Sequence, residues 1–307
     1  MVSVLLFPGQ GAQKVGMAKD LADRFPAARD TLAAIDEALS VSLTGIMWEG
    51  PEDELQQTLN TQPAILAHSA AVLAVLGDRI GPVAGAAGHS LGEYSAYVAA
   101  GSLTAVDAAR LVRRRGELMH RAGAERPGAM AAVLGLDGGR VAELCREAST
   151  DTVAVAANLN APDQTVISGD PDAVARAGEA CKAAGAKRVM PLKVSGAFHS
   201  PLMAPAAAGL AAALAGVAFA DPAFPVVANA TAGPVRAAAE ARRLLEEQLT
   251  APVRWVECVR TLAALAPDIR FVEIGPGTVL GGLVKRIVPE PRIVSLGTAD
   301  EVEKFLG

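Results

Sequence analysis

The chain has few cysteines, few charges and no long uninterrupted apolar run, and each shortage removes a class of protein. Its three cysteines, Cys145, Cys181 and Cys258, are odd in number, far apart and outside any CxxC arrangement. That leaves no disulfide framework or cysteine zinc site to build, and it points to a reducing compartment. Only 20% of the 307 residues are charged, and acids outnumber bases 33 to 28, for a formal net charge of -5. A nucleic-acid binder of this size would carry a basic excess. The opening MVSVLLFPGQG has neither the basic n-region nor the long apolar h-region of a secretory signal. The alanine-rich stretch 205–220 lacks the ~20 strongly apolar residues of a membrane span. No internal repeat is visible. These absences predict a cytoplasmic protein that engages neither nucleic acid nor membrane.

What is present is apolar material in short, regular blocks. Hydrophobic residues make up 51% of the chain, enough for a sizeable core. The run 2–7 is closed by Pro8-Gly9 and reads as a buried strand. Helical spacing follows over 18–39 and 65–76, a small-residue strand over 82–87, then helices over 91–100 and 104–119. Strands alternating with helices predict an α/β fold with a mostly parallel sheet. Residues 129–194 read differently: strand 129–136, helix 137–148, strands 152–157 and 164–168, helix 171–184, strand 187–194. That β-α-β-β-α-β order is the ferredoxin-like split unit. The expected organisation is a large α/β domain of residues 1–125 and 197–307, interrupted by a ferredoxin-like insertion of residues 126–196. The large domain resumes with a strand at 225–229, a helix at 236–249 and a strand at 269–274. The turn Gly275-Pro276-Gly277 then leads into a last helix.

Gly88-His89-Ser90-Leu91-Gly92 spells G-x-S-x-G between a strand and a helix, the context of a nucleophile elbow. The glycines permit a sharp turn that lifts the hydroxyl above the sheet, and the helix N-terminus below it favours a developing oxyanion. A serine hydroxyl needs a base, and there are four histidines: His68, His89, His120 and His199. His68 falls inside an apolar helix and reads as a core residue. His89 adjoins the serine and points elsewhere on an elbow. His120, at a helix end, reads as solvated or capping. His199 lies just past the end of a strand, where α/β sites are built, and is favoured over His120. The carboxylates from Asp107 to Glu179 offer no obvious third member of a triad. A Ser-His dyad whose imidazole is held by a backbone carbonyl is the simpler expectation.

The helix 104–119 carries four arginines. At ~100° per residue, Ala108, Leu111, Val112, Leu118 and Met119 form one apolar stripe. Arg110, Arg113 and Arg114 fall opposite it, and Arg115 falls within it. A guanidinium stays charged, so burial requires a partner. Two readings stand: a salt bridge with one of the chain's own acids, or a bidentate clamp for a ligand carboxylate. The loop Pro8-Gly9-Gln10-Gly11-Ala12-Gln13 lacks the third glycine of a dinucleotide fingerprint, with Lys14 in its place. It reads either as a plain turn or as the donor of a second oxyanion N–H.

Taken together, FPGQGAQ (7–13), TQPA (61–64), GHSLGEYSA (88–96), RRGELM (114–119), NLNAPDQTVISG (158–169), GAFHSPLM (196–203), QLTAPVRW (248–255) and EIGPG (273–277) resemble the malonyl-CoA:acyl-carrier-protein transacylase family, from the first strand almost to the last residue. Each piece alone is weak, and the ordered set is highly specific. The resemblance implies a hydrolase-like α/β domain with a ferredoxin-like insertion, and transfer of a malonyl group from malonyl-CoA to the phosphopantetheine thiol of an acyl carrier protein, in fatty-acid or polyketide synthesis. It implies Ser90 as the acylated nucleophile and His199 as its base. It further implies Arg115 as the malonyl carboxylate's partner, the backbone N–H groups of Gln10 and Leu91 as the oxyanion hole, and the Gln248 carbonyl as the support of His199. Phe198 is the residue type that accompanies malonyl preference over branched acyl groups, and Gly196 carries no such weight. No metal or cofactor is expected, since coenzyme A belongs to the substrate, and the family leans to monomers. The carrier should meet local positive charge, with Lys187, Arg188, Lys193, Lys285 and Arg286 as candidates. The alternatives are a hydrolase using the same serine, a non-catalytic carrier-docking subunit, and a transacylase for another acyl group such as methylmalonyl.

Overall fold

The structure is a computed structural model, and it describes residues 2–194 and 196–307. Its strands are β1 Val2–Phe7, β2 Val83–Gly88, β3 Ala129–Leu134, β4 Ala154–Ala161, β5 Gln164–Gly169, β6 Arg188–Pro191, β7 Val226–Val227, β8 Pro234–Val235, β9 Ile269–Ile274 and β10 Arg292–Leu296. They form two sheets. The larger runs β10-β9-β1-β2-β7-β8 and is parallel except for the β7–β8 hairpin at one end. Parallel strands are covered on both faces and therefore read as near-continuous apolar runs. The central strand β1, VSVLLF, is buried from Ser3 onward. Beside it β2 is VAGAAG, because elements cross it closely: a Cβ at Gly85 would meet Leu265 Cδ1 at 2.5 Å and the Pro225 carbonyl at 3.0 Å.

The smaller sheet runs β4-β5-β3-β6 and is antiparallel throughout. With helices Gly138–Ala148 and Pro171–Ala183 it has the connectivity of the split βαβ unit. Its core, built around Val133, Val141, Ile167 and Val174, also contains Cys145 and Cys181. Burial pushes the Cys145 thiol up to about 12. Cys258 is buried in the larger unit, so all three cysteines are core thiols. The outer edge of β4 is stitched to the larger unit: Leu159 N–H donates to the Val253 carbonyl at 2.9 Å, and Val253 N–H to the Ala157 carbonyl at 2.8 Å.

Several elements depart from the sequence reading. The helix expected over 18–39 is two helices, Lys19–Arg24 and Pro26–Leu39. Pro26 forces Phe25 out of the helical region, to φ -119 and ψ 113. The arginine-bearing helix runs on to Glu125, which puts the exposed His120 in its body and not at its end. The apolar helix starts earlier, at Thr58–Leu76. By length and composition it could cross a membrane, yet 83% of its most apolar window is buried inside the protein, as a core helix would be. The Gly275–Gly277 turn leads to helix Val279–Ile287, but β10 and helix Ala299–Leu306 follow it. Helix Trp255–Ala263 has no counterpart in the sequence pattern described above.

Candidate active site

The end of β2 and the start of helix Gly92–Ala99 form a turn that only glycine tolerates on either side. A Cβ at Gly88 would lie 1.9 Å from the Gly92 carbonyl carbon, and one at Gly92 would lie 2.2 Å from the Phe7 carbonyl oxygen. Between them Ser90 adopts a left-handed backbone, φ 54, a strained state that surrounding contacts must enforce. Asn229, just after β7, supplies those contacts. Its Oδ1 accepts from the Ser90 N–H at 2.7 Å, and its Nδ2 donates to the Gly88 carbonyl at 2.8 Å.

The serine hydroxyl meets two side chains. Its Oγ is 2.8 Å from His199 Nε2 and 3.0 Å from Arg115 Nη2. Chemistry fixes the direction of each bond. The guanidinium can only donate, so it occupies a lone pair on Oγ and leaves the hydroxyl proton for the histidine. On the other side of the ring, Nδ1 lies 2.9 Å from the Gln248 backbone carbonyl, which can only accept. Nδ1 therefore carries the ring proton and Nε2 presents a lone pair to the serine. No carboxylate among the described residues bonds to the ring. His199 also has a left-handed backbone, φ 56, and is held by the short turn Pro201–Met203 that Ser200 caps. Burial, reinforced by the Arg115 charge, lowers its pKa from 6.5 to about 3. The imidazole is thus neutral and able to accept a proton at physiological pH.

Arg115 is 1% exposed, within the apolar stripe as expected. Its Nη1 donates to Gln62 Oε1 at 2.7 Å, and its Nη2 to Gln248 Oε1 at 3.0 Å. Burial lowers its pKa, though a guanidinium remains cationic. The salt bridge that sequence allowed does not form: none of its hydrogen-bond partners is a carboxylate, and its Nε–H has no partner among the described residues. Arg110, Arg113 and Arg114 instead pair with Asp107 or Glu117.

Gln248 connects these groups. It caps helix Ala238–Glu247 and is fully buried. While its carbonyl holds His199 and its Oε1 holds Arg115, its Nε2 donates to the Ser90 carbonyl at 3.0 Å and to Glu93 Oε2 at 2.8 Å. Sequence reasoning passed over Glu93, Asn229 and Gln62. The first sits three residues past the serine and looks like an ordinary acid in a first helical turn. Gln62 lies in TQPA, a stretch noticed only as part of the family pattern.

The remaining histidines are elsewhere. His68 is a buried core residue, its Nε2 2.8 Å from the Gly297 carbonyl, and burial lowers its pKa to about 4. His89 points away from the dyad, with Nε2 2.8 Å from Asn160 Oδ1 on β4 and its ring beside Trp255. Ser90 and Arg115 open into a cavity of about 290 Å³ between the two sheets, with Gln10, Phe198, Asn160 and Met130 among its lining residues. The backbone N–H groups of Gln10 and Leu91 donate to nothing among the described residues. Gln10 is steadied by its side chain, whose Nε2 donates to Thr58 Oγ1 at 3.3 Å. The described residues contain no cluster of three or more potential metal ligands. Lys187, Arg188, Lys193, Lys285 and Arg286 are all exposed, but Arg286 is already paired with Asp163.

A neutral histidine on a strained serine, beside a buried cation whose hydrogen-bond partners among the described residues are two amide oxygens and the serine hydroxyl, suits acyl transfer from a group that carries its own carboxylate. The chain is also similar to known proteins along nearly its whole length. Residues 4–302 match the family described as Acyl transferase domain. The chain is 46% identical over 284 residues, 92% of each chain, to the malonyl CoA-acyl carrier protein transacylase of Escherichia coli K12. It is 42% identical to that of Bacillus subtilis, covering 97% of this chain and 94% of the relative. Among solved structures it is similar to an acyl carrier protein S-malonyltransferase from Vibrio cholerae, with TM-score 0.94, 41% identity and 99% of each chain covered. It is also similar to a malonyl-transacylase in complex with its type II PKS acyl-carrier protein, with TM-score 0.95, 42% identity and 100% and 99% coverage.

Proposed function

This chain belongs to the acyl transferase domain family and is an enzyme of the malonyl-CoA:acyl-carrier-protein transacylase kind, and on that premise we propose how its residues divide the reaction. Ser90 Oγ attacks the thioester carbonyl of malonyl-CoA as His199 Nε2 takes the hydroxyl proton. The new oxyanion is received by the N–H groups of Gln10 and Leu91. Collapse of the tetrahedral intermediate breaks the C–S bond, and the imidazolium returns the proton to the departing CoA thiolate. The malonyl-Ser90 ester remains. The phosphopantetheine thiol of the carrier then attacks that ester while His199 removes the thiol proton. On collapse the proton passes to Ser90 Oγ, which restores the resting enzyme. Gln248 keeps the tautomer correct throughout, in the place an acid would hold in a triad.

One observation carries the choice of acyl group: the Arg115 guanidinium reaches the nucleophile itself, at 3.0 Å. In a malonyl ester the carboxylate carbon lies roughly 2.5 Å beyond the carbonyl carbon, two bonds away. An acyl group on Ser90 therefore brings its own carboxylate to Arg115, the one Lys or Arg among the described residues that line the cavity. Phe198, 6% exposed and on the cavity wall, limits room for a branch at the α-carbon. Exposed Lys187, Arg188, Lys193 and Lys285 supply positive charge for docking an acidic carrier.

Intact-protein mass spectrometry after brief mixing with malonyl-CoA, with acetyl-CoA and Ser90→Ala alongside, tests this directly. The expected result is a malonyl adduct on the native protein that is weak with acetyl-CoA and absent from the variant. Free malonate and CoA accumulating without an adduct would make the protein a hydrolase. No adduct and no turnover would leave it as a carrier-docking subunit.

A further inference from the structure

The cycle above leaves one buried charged group unused. Glu93 is fully buried in the first turn of the helix that follows the nucleophile. It forms no ion pair with any described residue. A single oxygen, Oε2, accepts two hydrogen bonds: from the Asn229 backbone N–H at 2.9 Å and from Gln248 Nε2 at 2.8 Å. Its other oxygen, Oε1, has no partner among the described residues. Burying a carboxylate this way is costly, and an apolar side chain of similar volume would fill the space with less penalty. Burial indeed pushes its pKa up to about 7. Packing alone therefore does not account for an acid here.

Its two donors do. The Asn229 side chain grips the elbow on both sides, at Ser90 N–H and the Gly88 carbonyl. Gln248 holds the His199 ring with its carbonyl and the Arg115 guanidinium with its amide oxygen. The orientation of that amide is fixed by chemistry. Arg115 has no acceptor to offer, so Oε1 must face it and Nε2 must face Glu93. Without Glu93, the Gln248 amide keeps only the Ser90 carbonyl as acceptor, and the Asn229 backbone N–H loses its partner.

We propose that Glu93 is a positioning residue: its Oε2, by accepting from Asn229 and Gln248 together, holds the serine, the histidine and the arginine in register with one another. This inference rests on the roles given to Ser90, His199 and Arg115 above. Misplacing reacting groups by ~1 Å costs a factor of about 100, and loss of one acceptor should cost part of that.

The test compares Glu93→Gln, Glu93→Ala and Glu93→Leu. Rates of acylation by malonyl-CoA and acetyl-CoA are measured per competent site, with sites counted by the final fraction acylated. Glutamine can place its amide oxygen where Oε2 lies, and E93Q should remain within about threefold of the native rate and selectivity. Glu93→Ala should acylate about 10- to 100-fold more slowly. Its preference for malonyl over acetyl should also fall, because the Gln248 amide that holds Arg115 is left with one anchor in place of two. Glu93→Leu fills the volume without an acceptor and should behave as Glu93→Ala does; it carries the test if the alanine variant does not fold. A role in folding alone would lower the number of competent sites without changing rate or selectivity at those that remain. Native rate and selectivity in both Glu93→Ala and Glu93→Leu would overturn the proposal, as would an E93Q as impaired as they are. Failure of the underlying functional reading looks different: the native protein would then form no Ser90 adduct, and the positioning role would fall with it.

Discussion

Replacing Arg115 with alanine separates recognition of the carboxylate from the rest of catalysis. The guanidinium is 1% exposed, and none of its hydrogen-bond partners among the described residues is a carboxylate. A malonyl carboxylate arriving there forms a desolvated, charge-assisted pair. Truncating one member of such a pair costs about 2–5 kcal/mol, or roughly a 30- to 5,000-fold fall in kcat/KM for acylation. The variant also loses the hydrogen bond from Nη2 to Ser90 Oγ, but that loss is common to every acyl donor. It cancels in the ratio of malonyl-CoA to acetyl-CoA rates, so this ratio isolates the carboxylate interaction. Rapid-quench measurement of acyl-enzyme formation with the two thioesters gives it directly. The expected outcome is a malonyl rate reduced at least about tenfold more than the acetyl rate. Equal losses for both thioesters would refute the clamp and leave Arg115 as a partner of the serine and the two glutamines.

Two further outcomes follow from the same geometry. Burial first, and the Arg115 charge second, disfavour the imidazolium of His199, whose pKa falls to about 3. The neutral, proton-accepting form therefore persists well below pH 6.5. The kcat/KM for acylation, which reports the free enzyme, should stay level from about pH 8 to pH 5, and in Arg115→Ala the acid limb should move upward. An acid limb centred near pH 6.5 in the native protein would contradict this. At the elbow, Gly92→Ala would push a Cβ to 2.2 Å from the Phe7 carbonyl oxygen. Overpacking of this kind costs about 1–3 kcal/mol and parts the β1 loop from the serine turn. Denaturant unfolding should show lower stability and acylation should slow; an unchanged variant would mean the contact relaxes freely.

The sequence disclosed what depends on neighbours along the chain. The alternation of short apolar strands with helices, the G-x-S-x-G turn and the placement of Arg115 on an apolar stripe all follow from spacing over a few residues. Pro26 marks the helix break within 18–39 too, because a proline drives the residue before it out of the helical region. Other features depend on distant partners. Asn229 reaches Ser90 across 139 positions, and Gln248 reaches Glu93 across 155. Glutamine and asparagine side chains give no periodic signal. An acid in a first helical turn is favoured by the helix dipole wherever it occurs, so Glu93 was hidden by being ordinary. For Gln62 and Gln248 the family pattern marked the segments but not the side-chain bonds. For Arg115, burial alone allows a salt bridge as readily as a ligand, and amide oxygens in place of a carboxylate are what leave the cation available.

The strand pairing between β4 and the segment around Val253 bears on how such enzymes can be recombined. Along the chain, residues 126–196 look like a cassette, entered and left through two connections. In space the cassette has a third attachment: its edge strand is completed by Val253, five residues past Gln248, and Asn160 on that strand holds the His89 ring. A graft of 126–196 into a related chain would bring one half of each interaction and meet a foreign other half, next to the carbonyl that orients the histidine. The transplantable unit is discontinuous: residues 251–254 and position 89 must travel with the insertion or already match it.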